Sequence, residues 1–175
     1  MIMLTEFKKY IERYNLIDKD DKILLALSGG VDSMVLARLL IMSQRDYETT
    51  SQRVGMQSQS QYHLAFAHCN FHLRGEDSNR DERFVTDFAR ENNIPIFVKH
   101  FDTEAYAKEN SLSIEMAARE LRYNWFKELK EIHNFDKVAL AHHGDDQIET
   151  FFINMLRGSG IKGLKGMKPQ NDFYI

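Results

Sequence analysis

The chain has 175 residues, enough for one domain that buries roughly 70% of its unfolded surface without disulfide or metal staples. With 43% hydrophobic and 28% charged residues and a formal net charge of −3, general disorder is excluded, and the balance gives no global nucleic-acid signal, so any RNA contact must come from a local patch. No apolar run approaches the ~18 residues of a membrane span. The segment Met1 to Tyr10 has no signal-peptide core, and the single cysteine, Cys69, excludes a disulfide framework and any CxxC pair and predicts a reducing, cytoplasmic setting.

A leading helix is predicted near residues 4–14. Ile23-Leu24-Leu25-Ala26-Leu27 is a continuous apolar run ending at Ser28-Gly29-Gly30, the pattern of a strand buried on both faces. A helix follows over Ser33 to Met42, with Val35, Leu36, Leu39 and Leu40 on one face. Ser43 to Tyr62 is rich in Gln, Ser and Thr and lacks periodicity, so residues 43–62 are predicted to be a long polar surface loop. Strands are predicted at His63 to Ala67, at Ile94 to Val98 with Pro95 at its start, and at Lys137 to Ala141. Between them, residues 76–92 predict a charged helix burying Phe84, Val85, Phe88 and Ala89. Residues 113–132 predict an amphipathic helix with Ile114, Ala118, Leu121, Trp125, Leu129 and Ile132 at steps of three and four. A last helix is expected from Gly144 to Arg157.

Repeated β-α-β order predicts an α/β fold, a doubly wound, mainly parallel sheet with helices on both faces. Ligands bind such sheets beyond the carboxyl ends of the strands, and the unusual residues fall after Leu27, after Ala67 and after Ala141. In Ser28-Gly29-Gly30-Val31-Asp32-Ser33, two glycines let backbone N–H groups approach an anion, and the helix start adds partial positive charge. Ser28 and Ser33 carry hydroxyl donors. Asp32 suits a metal ion bridging to phosphates, or a contact that holds the loop. A tight turn with a first-turn acid has the same composition. The turn is neither GxxxxGK[ST] nor GxGxxG.

The complete hexamer SGGVDS resembles the PP-loop of the ATP pyrophosphatase family. Four further segments narrow the likeness: Ala67 to Gly75; Ser113-Ile114-Glu115 with Ala118-Arg119 and Arg122-Tyr123; Ala141 to Thr150; and Leu156-Arg157-Gly158-Ser159-Gly160 followed by Gly163-Leu164, Gly166-Met167 and Pro169. In this order they resemble the N-terminal domain of the tRNA(Ile)-lysidine synthase family. The resemblance implies a Rossmann-like PP-loop ATPase over 1–175. It also implies a ligase that uses ATP and Mg²⁺ to join free L-lysine to the wobble cytidine of a CAU-anticodon tRNA(Ile). The cytidine O2 attacks the α-phosphate and pyrophosphate leaves. The lysine ε-amine then attacks C2 and AMP leaves. The C-terminal tRNA-binding domains of the family are expected to lie outside this chain, and homodimerisation is compatible with the resemblance. Where the family's second segment reads Asn-His-Gly-Leu-Arg, this chain has Asn70-Phe71-His72-Leu73-Arg74, so the role of that histidine is not carried over, and whether His72 replaces it stays open.

The resemblance assigns ATP binding to Ser28, Gly29, Gly30, Val31, Asp32 and Ser33, with Asp32 also the candidate Mg²⁺ ligand. Asp146, Glu149 and Arg119 are the candidate catalytic residues. An amine with a pKa near about 10.4 needs a proton acceptor before it can attack, a role open to the carboxylates. Asp146 with Glu149 three residues on is also a capping box. Arg119 and Arg122 share one helix face and suit clamping of ATP phosphates or of the tRNA backbone, or pairing with Glu115 or Glu120. Arg74, Arg157, Lys162 and Lys165 are the candidate RNA contacts, the last three within a glycine-spaced basic segment that also suits a plain solvated loop. A structural zinc site at His142 and His143 lacks the ligand spacing. RNA-thiolating relatives need paired cysteines, which one cysteine cannot supply. The alternatives are another PP-loop adenylating enzyme, acting on RNA or a small molecule, and a catalytically incomplete ATP-binding fragment.

Overall fold

The computed structural model describes residues 2–53 and 62–141, with side chains for 2–46 and 62–141. In chain order it contains α1 (Ile2–Tyr14), β1 (Asp21–Ala26), α2 (Val31–Arg53), β2 (Tyr62–Asn70), α3 (Glu76–Glu91), β3 (Ile96–His100), α4 (Thr103–Glu109), α5 (Ile114–His133) and β4 (Lys137–Leu140). The four strands form one parallel sheet in the order β3-β2-β1-β4. Leu25 pairs with Phe66 and with Ala139, and Ala67 pairs with Phe97. Chain order reverses between β1 and β4, which is a topological switch point.

Apolar residues on alternate sides of the central strands feed two cores. Ile23, Leu25, Leu64 and Phe66 pack with Leu4, Phe7 and Ile11 of α1, Leu39 and Leu40 of α2, and Val85 and Phe88 of α3. Leu24, Ala65, Ala67 and Val138 pack on the other face with Trp125, Phe126 and Leu129 of α5. The sheet is therefore doubly wound, as its apolar strands predict. Lys137 at the start of β4 reaches Asp21 at the start of β1 (2.7 Å) and Asp18 before it (2.9 Å), joining the two strands at their amino ends.

Three expectations change. The predicted loop over 43–62 begins as helix, because α2 continues to Arg53. Once nucleated, a helix extends through polar residues such as Gln, Arg and Glu at little cost; absent apolar periodicity reports absent burial, not absent helix. Residues 54–61 lie outside the described residues. Phe84 is exposed, and Val85, Phe88 and Ala89 carry the buried face of α3. Ile114 and Ile132 are exposed too, because the buried residues of α5 run only from Ala117 to Leu129.

One short element, α4, was not predicted: Asp102 caps it by accepting from Ala105 N at 3.0 Å, a local signal too brief to show periodicity. Pro95 stands just ahead of β3, and its carbonyl accepts from Phe66 N at 2.8 Å, so the missing proline N–H interrupts no ladder bond. The predicted helix from Gly144 to Arg157 lies outside the described residues.

Candidate nucleotide site

Beyond the carboxyl ends of β1, β2 and β4 lies a cavity of about 320 Å³. Its floor is Ala26, Leu27, Ala67 and Ala141, its rim on one side Ser28 and Ser33, and its remaining wall Cys69, Phe71, Arg122 and Phe126. The small strand-end residues leave the space. The aromatic rings and the arginine come from the chain after β2 and from α5.

The turn from Ser28 to Ser33 is held from within. Ser33 Oγ donates to Gly30 O at 2.9 Å, and Ser28 N donates to Ser33 Oγ at 3.2 Å. The 3.0 Å contact between the two hydroxyls therefore takes its proton from Ser28, since the Ser33 proton is in use. Gly30 N in turn donates to Ser28 Oγ at 3.2 Å. The two serines thus shape the turn, and the first turn of α2 directs its backbone N–H groups out of the helix start.

Gly29 has φ +86°, and a Cβ there would meet Asp81 Cβ at 3.3 Å and Val85 Cγ1 at 3.5 Å. Positive φ and the close approach of α3 both require glycine. Gly30 has neither constraint: a Cβ there would meet only Ser28 Oγ, at 3.4 Å. Behind the turn, His68 is buried, and its Nδ1 lies 2.7 Å from Leu27 O. A carbonyl only accepts, so Nδ1 carries the proton, and the ring ties the end of β1 to β2.

The segment after β2 is anchored by Asn70, a buried side chain. Its Oδ1 accepts from His72 N at 3.0 Å, and its Nδ2 donates to Glu82 Oε2 at 2.7 Å. Phe71 stacks on Phe101 (5.4 Å between centroids), and the Arg122 guanidinium lies 5.4 Å from the Phe71 ring centre, a cation–π distance. His72 Nε2 lies 2.9 Å from His100 Nδ1. Burial pushes the Cys69 thiol up to about 12, against the opposing charges of Arg122 and Lys99; at that value it is a packed wall residue, not a thiolate.

The structure brings Ser28 and Ser33 to the cavity, with Gly29, Gly30, Val31 and Asp32 in the same turn. Arg119 is exposed, with its guanidinium 5.0 Å from the Tyr123 ring centre, and it does not line the cavity. Arg122, three residues on, does. The sequence signal for this choice was the shared helix face, which admits either arginine. Arg74 pairs with Asp81 at 2.7 Å; sequence reading had no signal for Asp81, because its significance is its contact with Gly29. Asp146, Glu149, Arg157, Lys162 and Lys165 lie outside the described residues, as do His142 and His143. Among the described residues, no group of three or more His, Cys, Asp or Glu is gathered to hold a metal, and no helix is long and apolar enough to cross a membrane.

A family model described as the PP-loop domain matches residues 2–175. The tRNA(Ile)-lysidine synthase of Bacteroides thetaiotaomicron is 48% identical over 167 residues, 95% of this chain and 35% of that protein. The enzyme of the same name from Parabacteroides distasonis is 44% identical, over 99% of this chain and 36% of that protein. That of Thermosipho africanus is 40% identical over 100% and 38% respectively. The chain thus spans about a third of the length of these relatives. Among solved structures, the U34-tRNA thiolase NcsA from Methanococcus maripaludis, with its [4Fe-4S] cluster, is similar with a TM-score of 0.62. It is 20% identical, and the match covers 98% of this chain and 56% of that one; a likeness at this identity is one of fold.

Proposed function

Since the chain belongs to the PP-loop domain family, we propose that it is the ATP-using part of a tRNA(Ile)-lysidine synthase, joining L-lysine to the wobble cytidine of a CAU-anticodon tRNA(Ile). The observation that carries this reading is the Ser28–Ser33 turn at the rim of the switch-point cavity, in a chain 48% identical to an enzyme of that name. The turn and the start of α2 receive the triphosphate, and the cavity beside them receives the nucleoside. The cytidine O2 attacks the α-phosphorus and pyrophosphate leaves, giving an adenylated base. The lysine ε-amine attacks C2, the C2–O2 bond breaks, AMP leaves with that oxygen, and the amine gives up a proton.

Arg122 in the cavity wall suits the phosphate nearest the nucleoside, and Arg119 remains the alternative on the same helix. Asp146 and Glu149 are assigned the proton from lysine; Arg157, Lys162 and Lys165 are assigned the RNA backbone. The donor set fits Mg²⁺: Asp32 supplies one hard carboxylate at the start of α2, and Mg²⁺ is commonly held by one or two carboxylates with phosphate oxygens and water. Bound there, it would neutralise phosphate charge as pyrophosphate forms. The chain carries one cysteine, Cys69, where RNA-thiolating relatives need a pair, which favours ligation over thiolation by paired cysteines.

The test is ATP–pyrophosphate exchange by the chain, with and without a CAU-anticodon tRNA(Ile) transcript, beside Asp32→Ala. Exchange that needs both the transcript and Asp32 supports the reading. ATP binding without exchange points instead to an ATP-binding unit that depends on further parts of the enzyme.

A further inference from the structure

We propose that Arg74, braced by Asp81 against the glycine turn, binds the β- and γ-phosphates of the nucleotide and so meets the leaving pyrophosphate. This rests on the reading that a triphosphate sits on the Ser28–Ser33 turn. A Cβ at Gly29 would lie 3.3 Å from Asp81 Cβ, 3.5 Å from Val85 Cγ1 and 3.6 Å from Asp81 Cγ, so the turn packs at Gly29 directly on the Asp81 side chain. An unpaired carboxylate there would repel a triphosphate. Arg74 Nη2 answers it at 2.7 Å, which makes the pair neutral and puts a guanidinium one carboxylate away from the anion cradle.

The guanidinium has five N–H donors in a planar fork. The Arg74 side chain is 67% exposed and that of Asp81 24%, so the fork keeps an open side for phosphate oxygens. Its backbone is fixed as well. Arg74 N donates to Ser78 Oγ at 3.2 Å, and Arg74 O accepts from Asp77 N at 3.1 Å. The cation therefore stands on a built turn at the start of α3, the helix that also abuts Gly29.

Position separates its role from that of Arg122. Arg122 lines the cavity together with Ser28, whereas Arg74 reaches the turn through Asp81 and Gly29 and is not part of the cavity lining. A nucleoside in the cavity with its phosphates on the turn offers Arg74 only the far phosphates. Asp81 acts through Arg74 and is a positioning residue.

The test is equilibrium binding of ATP, AMP, inorganic pyrophosphate and the tRNA(Ile) transcript to the full chain and to Arg74→Ala, Arg74→Lys and Asp81→Asn. Loss of one or two charge-assisted hydrogen bonds predicts about a tenfold weaker ATP and pyrophosphate affinity in Arg74→Ala, with AMP unchanged. Arg74→Lys falls between, because a point charge replaces a fork. Asp81→Asn weakens ATP about threefold, again sparing AMP, which a general loosening of the fold would not do. Unchanged ATP affinity in Arg74→Ala overturns the proposal, as do equal losses for ATP and AMP, or weaker transcript binding with ATP unaffected. A wild-type chain that binds ATP while Arg74→Ala matches it sinks this inference alone; a wild-type chain that binds no ATP sinks the functional reading with it.

Discussion

Replacing Gly29 by alanine tests how tightly the Ser28–Ser33 turn is bolted to α3. A left-handed backbone costs a residue with a Cβ about 1–2 kcal/mol, and Gly29 has φ +86°. The new methyl also meets Asp81 Cβ at 3.3 Å and Val85 Cγ1 at 3.5 Å. Val85 is fully buried, so α3 can retreat only by opening a packed face, and overpacking of this kind adds about 1 kcal/mol or more. Reduced freedom of the unfolded chain returns about 0.4–1 kcal/mol. The net expectation is about 2 kcal/mol, or about 4–8 °C in Tm at this size.

Two companions separate the contributions. Gly75 has φ +52° with nothing within 4 Å of a Cβ, so Gly75→Ala carries the backbone cost alone. At Gly30 a Cβ would touch only Ser28 Oγ, at 3.4 Å, with no positive φ, so Gly30→Ala stays within about 0.5 kcal/mol of wild type. Urea midpoints at unchanged slope give the three values. A Gly29→Ala loss no larger than the left-handed backbone cost of about 1–2 kcal/mol less the unfolded-state return of about 0.4–1 kcal/mol would refute the contact with Asp81, and a Gly29→Ala protein as stable as wild type would refute the reasoning entirely.

Cys69, with its thiol pushed up to about 12 by burial, is expected to react with a disulfide reagent at pH 8 at least about a hundredfold more slowly than a free cysteine; an equal rate would show that the wall of the cavity is open there. Lys137 is lowered by burial but raised further by its bonds to Asp21 and Asp18, so its net shift is upward from 10.5. Its contribution to stability is therefore complete below 10.5 and lost as pH rises through the higher folded value. Urea midpoints should fall for wild type in that alkaline window relative to Lys137→Met, which at pH 7 should be less stable by about 1–3 kcal/mol for the lost charge-assisted bonds to Asp21 and Asp18, Asp21 keeping the bond from Asp18 N at 2.6 Å; parallel pH curves for the two proteins would contradict this. Tyr62 is buried and its hydroxyl donates to Leu40 O at 2.6 Å, so Tyr62→Phe should lower stability by about 0.5–1.5 kcal/mol, and a neutral result by thermal melt would show that the hydroxyl is bonded equally well in the unfolded chain.

Elements whose signal is local were legible from the residues alone. The apolar run at Ile23–Leu27 has the pattern of a buried strand, the glycines and serines after it that of a tight turn into a helix, and the β-α-β order implied a doubly wound parallel sheet. The apolar residues at steps of three and four over 113–132 announced α5, and the structure adds its cap, the Ser113 hydroxyl accepting from Met116 N at 3.2 Å. Where local signal was missing, reading failed: a polar stretch after Met42 continues as helix, and α4 is too short to show a period. The site divides in the same way. The turn from Ser28 to Ser33 was legible because its chemistry is contiguous. That Arg122 rather than Arg119 lines the cavity depends on how α5 rotates against Phe71. That Asp81 sits on Gly29, with Arg74 beside it, depends on where α3 crosses the sheet. Contacts between residues tens of positions apart leave no pattern along the chain; packing alone decides which of two equally suitable side chains lines the cavity.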